Sequence, residues 1–276
     1  MNILFFKFYR WIFCRPFFYK FNNHLFKLSL RGLGVLNSEV ASATGEDYLL
    51  EYLSRKWNPK IIIDVGSNTD AYGHKFFPGA KIFAIEPHPQ TFKKLKTKFK
   101  GISRVKKFNF AMSNQNGQAK LWDFAENTEL KRTQPTSQLS SLNRDVIIKI
   151  HGQKAQGFKV QKMTLDSFAL QQKLAKIDFL KIDTEGHEFQ VLQGAKQLLA
   201  DKKIDIIQFE FNEMNVISGS FLRDFMQILP GHKFFRLMPR GLYSLDDYRP
   251  LTHELFGFQN ILAVPDDKLD LILDLV

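Results

Sequence analysis

Lys60-Ile61-Ile62-Ile63-Asp64-Val65-Gly66-Ser67-Asn68 is the stretch on which the fold turns. After Pro59, a continuous β-branched run that ends in an acid and a glycine has the form of a buried parallel strand opening into a loop. Lys81-Ile82-Phe83-Ala84-Ile85-Glu86 repeats that form, again ending in an acid, with Pro87 and Pro89 just beyond it. Residues 91–100 follow with Phe92, Leu95 and Phe99 at helical spacing among lysines. Strand, short helix, strand, helix is the resulting order.

The alternation extends outward in both directions. Downstream, residues 105–112 predict a third strand, and 114–117 a turn into another near Leu121. Residues 126–157 are polar and irregular and are expected to pass over the binding edge of the sheet. Residues 164–174 then predict a helix, 177–182 a strand, 188–199 a single helix and 203–211 a strand. A helix over 221–229 and strands over 232–237 and 256–264 complete the chain. Upstream, 45–53 reads as a helix with Thr44 as its N-cap and acids in its first turn. Gly32, Gly34, Asn37 and Ser38 mark a boundary, so residues 1–43 are expected to form a helical extension and 44–276 the main domain. Alternating elements of this kind predict an α/β domain with a mostly parallel sheet and helices on both faces. Such sheets bind ligands beyond the carboxyl ends of their strands, where the strand order reverses.

The residues just after each strand therefore carry the chemistry. Asp64 and Gly66 form an acid-glycine turn in which the glycine permits close approach to the backbone. About twenty residues on, Glu86 ends the second strand, where an acid can accept both hydroxyls of a ribose. A dinucleotide fingerprint needs further glycines to seat a pyrophosphate, and Asn68 occupies the second glycine's place. S-adenosylmethionine (SAM) has no phosphate and needs no such cradle. Ile177-Asp178-Phe179-Leu180-Lys181-Ile182-Asp183-Thr184-Glu185-Gly186-His187-Glu188 delivers several acids and a histidine into one loop. Crowded carboxylates imply a load, which can be a sulfonium cofactor, a metal or a proton in transit. Acid preference at a helix N-terminus explains Glu185 and Glu188 but less easily Asp183.

These segments resemble the FkbM family of SAM-dependent methyltransferases. The likeness lies in Asp64-Val65-Gly66-Ser67-Asn68, Phe83-Ala84-Ile85-Glu86-Pro87, Met163-Thr164-Leu165-Asp166-Ser167-Phe168 and Phe179 to Glu188, and continues through Val191-Leu192-Gln193-Gly194-Ala195 and Gln208-Phe209-Glu210. It implies a Rossmann-like class I methyltransferase fold with a seven-stranded sheet, one strand reversed, SAM as donor, and O-methylation of a sugar or similar hydroxyl. By the same resemblance Asp64, Gly66 and Asn68 line the methionine and ribose side of the cofactor, Glu86 holds the ribose, and Asn109 to Ala111 lie near the adenine. Asp183, Glu185 and His187 face a small-molecule or glycan acceptor. Asp183 by position, or His187 by its ordinary pKa near 6.5, is the expected proton acceptor. One departure stands out: family members place a glycine where this chain has Asp70, whose charge would repel the methionine carboxylate. Asp70 thus opens an alternative, a catalytically impaired protein of the same fold acting in membrane-surface or assembly contacts. A divalent metal on Asp183, Glu185 and Glu210 is the less favoured load of the acidic loop.

Composition narrows the setting. A formal net charge of +11 attracts anions. Residues 1–38 hold Lys7, Arg10, Arg15, Lys20, Lys27 and Arg31 with no acid, interleaved with eleven rings between Phe5 and Phe26. Bases interrupt every potential spanning run, and neither a clean apolar core nor a cleavage site marks a secretory signal. A helix of this kind, broken near Pro16, can lie in an anionic headgroup layer. Its alternative is packing on the domain or on a partner subunit. The lone Cys14 cannot form an internal disulfide and fits a reducing compartment. The expected location is cytoplasmic, peripheral at the inner membrane surface. Nucleic acid is disfavoured as a partner because no zinc-finger or base-flipping signature is present and much of the charge bias sits in the arm.

Overall fold

The computed structural model describes residues 3–38, 41–125 and 139–276. The chain opens with α1 (Ile3–Phe13) and α2 (Tyr19–Gly32), separated by a tight turn at Pro16–Phe18, so the break expected near Pro16 is present. The end of α2 and the turn after it are seated on the main body. Leu30 and Val35 are buried, Leu36 donates its amide to Phe258 O, and Arg236 donates to Leu33 O. After α3 (Ala41–Thr44) comes α4 (Glu46–Lys56), whose N-cap position is taken by Gly45 in the left-handed region, not by Thr44 as expected.

The main sheet draws on β1 (Ile61–Val65), β2 (Lys81–Ile85), β3 (Val105–Phe108), β7 (Ile177–Ile182), β8 (Ile204–Phe211), β9 (His232–Met238), β10 (Gly241–Ser244) and β11 (Gln259–Pro265). Its order is β10-β9-β11-β8-β7-β1-β2-β3. β3, β2, β1, β7 and β8 run parallel, and β11 is antiparallel to both β8 and β9. From β9 to β3 this is the expected seven-stranded Rossmann-like sheet with one reversed strand. β10 adds an eighth, turned back antiparallel on β9. The chain leaves β1 toward β2 and β3, then returns to β7 on the other side of β1, which makes the tip of β1 the switch point where ligands bind.

Alternate residues of the central strands feed two cores, as the two-residue period of a strand requires. Ile63, Val65, Leu180, Ile182 and Phe209 pack on one face with α6 (Leu165–Gln171), α7 (Glu188–Gln193) and α10 (Leu222–Ile228). Ile62, Phe179 and Ile206 pack on the other with α4 and α5 (Pro89–Lys98). Among the described residues the remaining α-helices are α8 (Lys196–Ala200), α9 (Met214–Ser218) and α11 (Pro250–His253).

Four further expectations are corrected. The short helix expected between β1 and β2 is instead a succession of turns over residues 66–80. Residues 105–112 are not one strand: β3 stays in the main sheet, while β4 (Ala111–Met112) joins a second sheet, ordered β4-β6-β5, with β5 (Gly117–Phe124) and β6 (Ala155–Met163). At the crossing, Asn109 Nδ2 donates to the carbonyls of Glu86 and Pro87 and ties the chain to the end of β2. The irregular stretch expected over 126–157 ends early, because residues 155–157 already pair with β5; residues 126–138 lie outside the described segments. The helix expected over 188–199 is two helices. A Cβ on Gly194 would lie 2.1 Å from Ser113 O, and the Asp166 carboxylate caps a new N-terminus through the amides of Gln197 and Leu198, at 2.9 and 3.0 Å.

Candidate active site

The switch point opens into a cavity of about 230 Å³. One wall is the loop after β1. Gly66 is in the left-handed region, and a Cβ there would lie 1.7 Å from Asp183 O, so the glycine is required by the neighbouring strand's backbone rather than by a ligand. Asn68, also left-handed at φ 53°, lines the cavity, and its buried Oδ1 has no protein partner. Glu86 stands beside it at the tip of β2. Its Oε2 accepts from the Asn68 amide at 2.9 Å and its Oε1 from the His88 amide at 2.7 Å. A carboxylate has about four lone-pair sites, so both oxygens keep acceptor capacity. Burial raises the Glu86 carboxyl to about 7 despite the pull of those two amides. Ile85, Phe110, Ala111 and Met112 make this end apolar, and Leu121 and Leu142 close it from the side of the second sheet.

The other end is acidic. Asp183, Glu185, His187 and Glu210 all line the cavity. Glu185 sits at φ 56° with a buried, unpartnered Oε2. Burial, and then the charges of Asp183 and Glu188, hold its pKa well above the ordinary carboxylate range. Glu210 is raised likewise by burial and by Asp183 and Glu185; Asn212 Nδ2 donates to its Oε1. His187 Nε2 lies 3.0 Å from Ser113 Oγ, and burial, aided by the charge of Lys162, lowers its pKa to about 4. Glu188 turns inward to accept from the Thr184 and Gly186 amides at 2.8 and 3.1 Å. It therefore organises the loop instead of facing the cavity, as the helix-start reading of this acid implies. Among the described residues no three acids, histidines or cysteines converge as a metal site.

A polar row runs beneath the loop. Asp64, Lys181 and Gln208 lie abreast on β1, β7 and β8. Lys181 is buried; its Nζ is 3.2 Å from Glu46 Oε1 and 3.4 Å from Asp183 Oδ2. Burial opposes its charge, but Glu46 and Asp183 outweigh that and hold its pKa well above the usual lysine range. Gln208 Nε2 donates to Glu46 Oε1 at 2.7 Å and to Asn260 Oδ1 at 3.2 Å. Asp64 is absent from the cavity wall. Its Oδ2 accepts from the Tyr72 amide at 2.8 Å, and burial lifts its carboxyl to about 6.

A sequence profile of the methyltransferase FkbM domain matches residues 53–235, more than half of the chain. The chain belongs to the FkbM methyltransferase family. The 2-O-methyltransferase NoeI of Sinorhizobium fredii is 25% identical to it over 197 residues, covering 66% of this chain and 76% of NoeI. Among solved structures, the precorrin-6y C5,15-methyltransferase of Geobacter metallireducens overlaps 80% of this chain and 87% of its own at 10% identity and a TM-score of 0.40. An rRNA methylase of Streptococcus thermophilus overlaps 78% and 93%, also at 10% identity, with a TM-score of 0.38. Overlaps this loose carry no weight beside the strand order itself.

Within this FkbM-family chain the structure brings Gly66, Asn68, Glu86, Ala111, Asp183, Glu185 and His187 together around one cavity and leaves Asp64 and Asn109 behind its walls. Asp70 does not line that cavity; it lines an adjoining groove with Asp64, Gly66, Asn68, Lys181 and Asp183. Its carboxylate is held by the Ala71 amide at 2.8 Å, Lys98 Nζ at 3.0 Å and His74 Nδ1 at 3.3 Å. Lys181, Gln208 and Asn260 were given no role by the sequence reading. The available signal was a lysine, a glutamine and an asparagine inside three strands rich in apolar residues, since a buried polar side chain needs a partner.

Proposed function

We propose that this protein is a SAM-dependent O-methyltransferase acting on a hydroxyl of a sugar or related glycan. One observation carries the reading: a single cavity at the switch point has the unpartnered Asn68 Oδ1 and Glu86 at one end, and Asp183 with two high-pKa acids at the other. The residues fit the cofactor. Glu86 keeps lone pairs for two ribose hydroxyls, Asn68 Oδ1 can accept from the same group, and Ile85, Phe110 and Met112 offer a dry surface to an adenine ring. The family membership and the similarity to NoeI, a 2-O-methyltransferase, support an oxygen acceptor.

Bound SAM supplies an electrophilic methyl group on a sulfonium centre. The chain's part is to orient the acceptor and take its proton. Asp183 is the preferred proton acceptor: it lines the cavity, is partly exposed, and has Lys181 Nζ 3.4 Å away to hold its carboxylate in place. His187, neutral at pH 7 with a pKa of about 4, positions the acceptor through its ring. Glu185 and Glu210, whose pKa values burial holds well above the ordinary carboxylate range, can donate hydrogen bonds to acceptor oxygens in their protonated form. The pairing of the Asp70 carboxylate with Lys98 and His74 offsets the charge on which the impaired-enzyme alternative rests.

The test is Asp183→Asn, followed by S-adenosylhomocysteine release across a panel of oligosaccharides and by calorimetric SAM binding. Loss of a general base lowers kcat by about 100-fold or more, with SAM affinity kept within about twofold. Full turnover by the variant excludes Asp183 from proton transfer. Absence of SAM binding by the wild-type protein overturns the function itself.

A further inference from the structure

The α1–α2 hairpin is built unlike the rest of the molecule. α1 buries no residue and α2 only Leu30, so its apolar side chains are not core. Of the large hydrophobic side chains exposed among the described residues, 14 of 24 fall between Ile3 and Leu33. Trp11 is 68% exposed and Phe17 87%. The hairpin nevertheless holds its own shape: Phe13 contacts the rings of Tyr9, Phe18 and Phe21, and Asn22 Nδ2 donates to Phe13 O. A contiguous apolar surface of this kind on a folded chain marks an interaction site.

Charge identifies the partner. Residues 1–38 carry six bases and no acid. A second copy of the hairpin would bring like charges face to face, whereas an anionic bilayer answers both properties at once, with its headgroups taking the bases and its upper acyl layer the rings. Lys7 and Arg10, three residues apart, share one stripe of α1, with rings and aliphatic side chains over most of the remaining circumference. Among the described residues no helix is long and apolar enough to cross a membrane, so the hairpin lies on the surface. It also walls a groove of about 660 Å³ that runs from Glu185 and Glu210 to Lys27 and Arg31 of α2.

We propose that the α1–α2 hairpin docks this protein on anionic lipid bilayers, with the mouth of that groove beside the headgroups. The docking rests on the hairpin alone and stands whether or not methyl transfer is found. The experiment is co-sedimentation of the full chain with vesicles of phosphatidylglycerol and phosphatidylcholine in about equal parts, against pure phosphatidylcholine vesicles. Two double variants accompany it, Lys7→Glu with Arg10→Glu and Trp11→Ala with Phe17→Ala, each changing exposed side chains that bury nothing. Wild type pellets with the anionic vesicles at least about tenfold more tightly than with neutral ones, and raising salt to about 0.5 M weakens it. Both variants lose at least about tenfold while keeping the wild-type melting temperature. Three results overturn the proposal: no anionic preference, variants that bind as wild type does, or a concentration-dependent dimer that Trp11→Ala with Phe17→Ala abolishes while vesicle binding is absent.

Discussion

His187 shows how a single buried side chain ties stability to pH. Its pKa in the fold is about 4 against an ordinary 6.5, with burial the main cause, so the folded state favours the neutral ring. The stability it contributes is fully present above pH 6.5 and is lost as pH falls toward 4, because the unfolded chain takes up the proton first. The stake is about 3 kcal/mol at 1.36 kcal/mol per pKa unit. His187→Gln should therefore flatten the decline in urea-unfolding free energy between pH 6.5 and 4; an unchanged slope would mean the ring is solvated. Glu86 tests the ribose contact: its ionised carboxylate is an acceptor worth about 1.5–3 kcal/mol, so at about pH 8, above its pKa of about 7, Glu86→Ala should raise the Kd for SAM about 10-fold or more in calorimetry, with circular dichroism checking the fold. Glu86 and Asp183 were legible because strand tips in such sheets are where ligands sit. Lys181 was not, because its role depends on Glu46, more than a hundred residues earlier, and on the register that sets Gln208 beside it.

Strands were easier to read than helix ends. A buried parallel strand is an apolar run whatever lies around it, and β1, β2, β7 and β8 fall within a residue or so of where that pattern puts them. The break between α7 and α8 was hidden, since the segment is periodic throughout and the interruption comes from a distant carbonyl, Ser113 O, and a distant carboxylate, Asp166. Asp166→Ala should strip the cap from α8 and cost about 1–2 kcal/mol in urea unfolding, with SAM affinity unchanged. A loss below about 0.3 kcal/mol would assign the break to Gly194 alone. β10 escaped notice for a related reason: four residues closing a hairpin on β9 carry too few side chains to show a period.

At the level of the whole molecule, the cavity belongs to no single element. Its walls come from the loops after β1 and β2, the passage from β3 to β4, the loop after β7, the tip of β8 and the second sheet. The sequence placed the first sheet's strand tips correctly and could not show the second sheet closing over them, because β6 pairs with β4 and β5 across long stretches of chain that leave no local signal. A ligand that fills such a site bridges segments far apart in the chain and stabilises the native state as a unit. At a SAM concentration of about 100 times Kd the gain is about 2.7 kcal/mol, which for a chain of this size raises the melting temperature by about 5–10 °C. S-adenosylhomocysteine should act similarly and NAD should not, since Asn68 stands where a pyrophosphate loop needs glycine. The Glu86→Ala variant should show about half of the shift or less at the same concentration, whereas Asp183→Asn should keep it, which separates cofactor binding from proton transfer in one set of melting curves. Equal stabilisation by NAD and SAM would point to a general nucleotide site and remove the distinction on which the proposed chemistry rests.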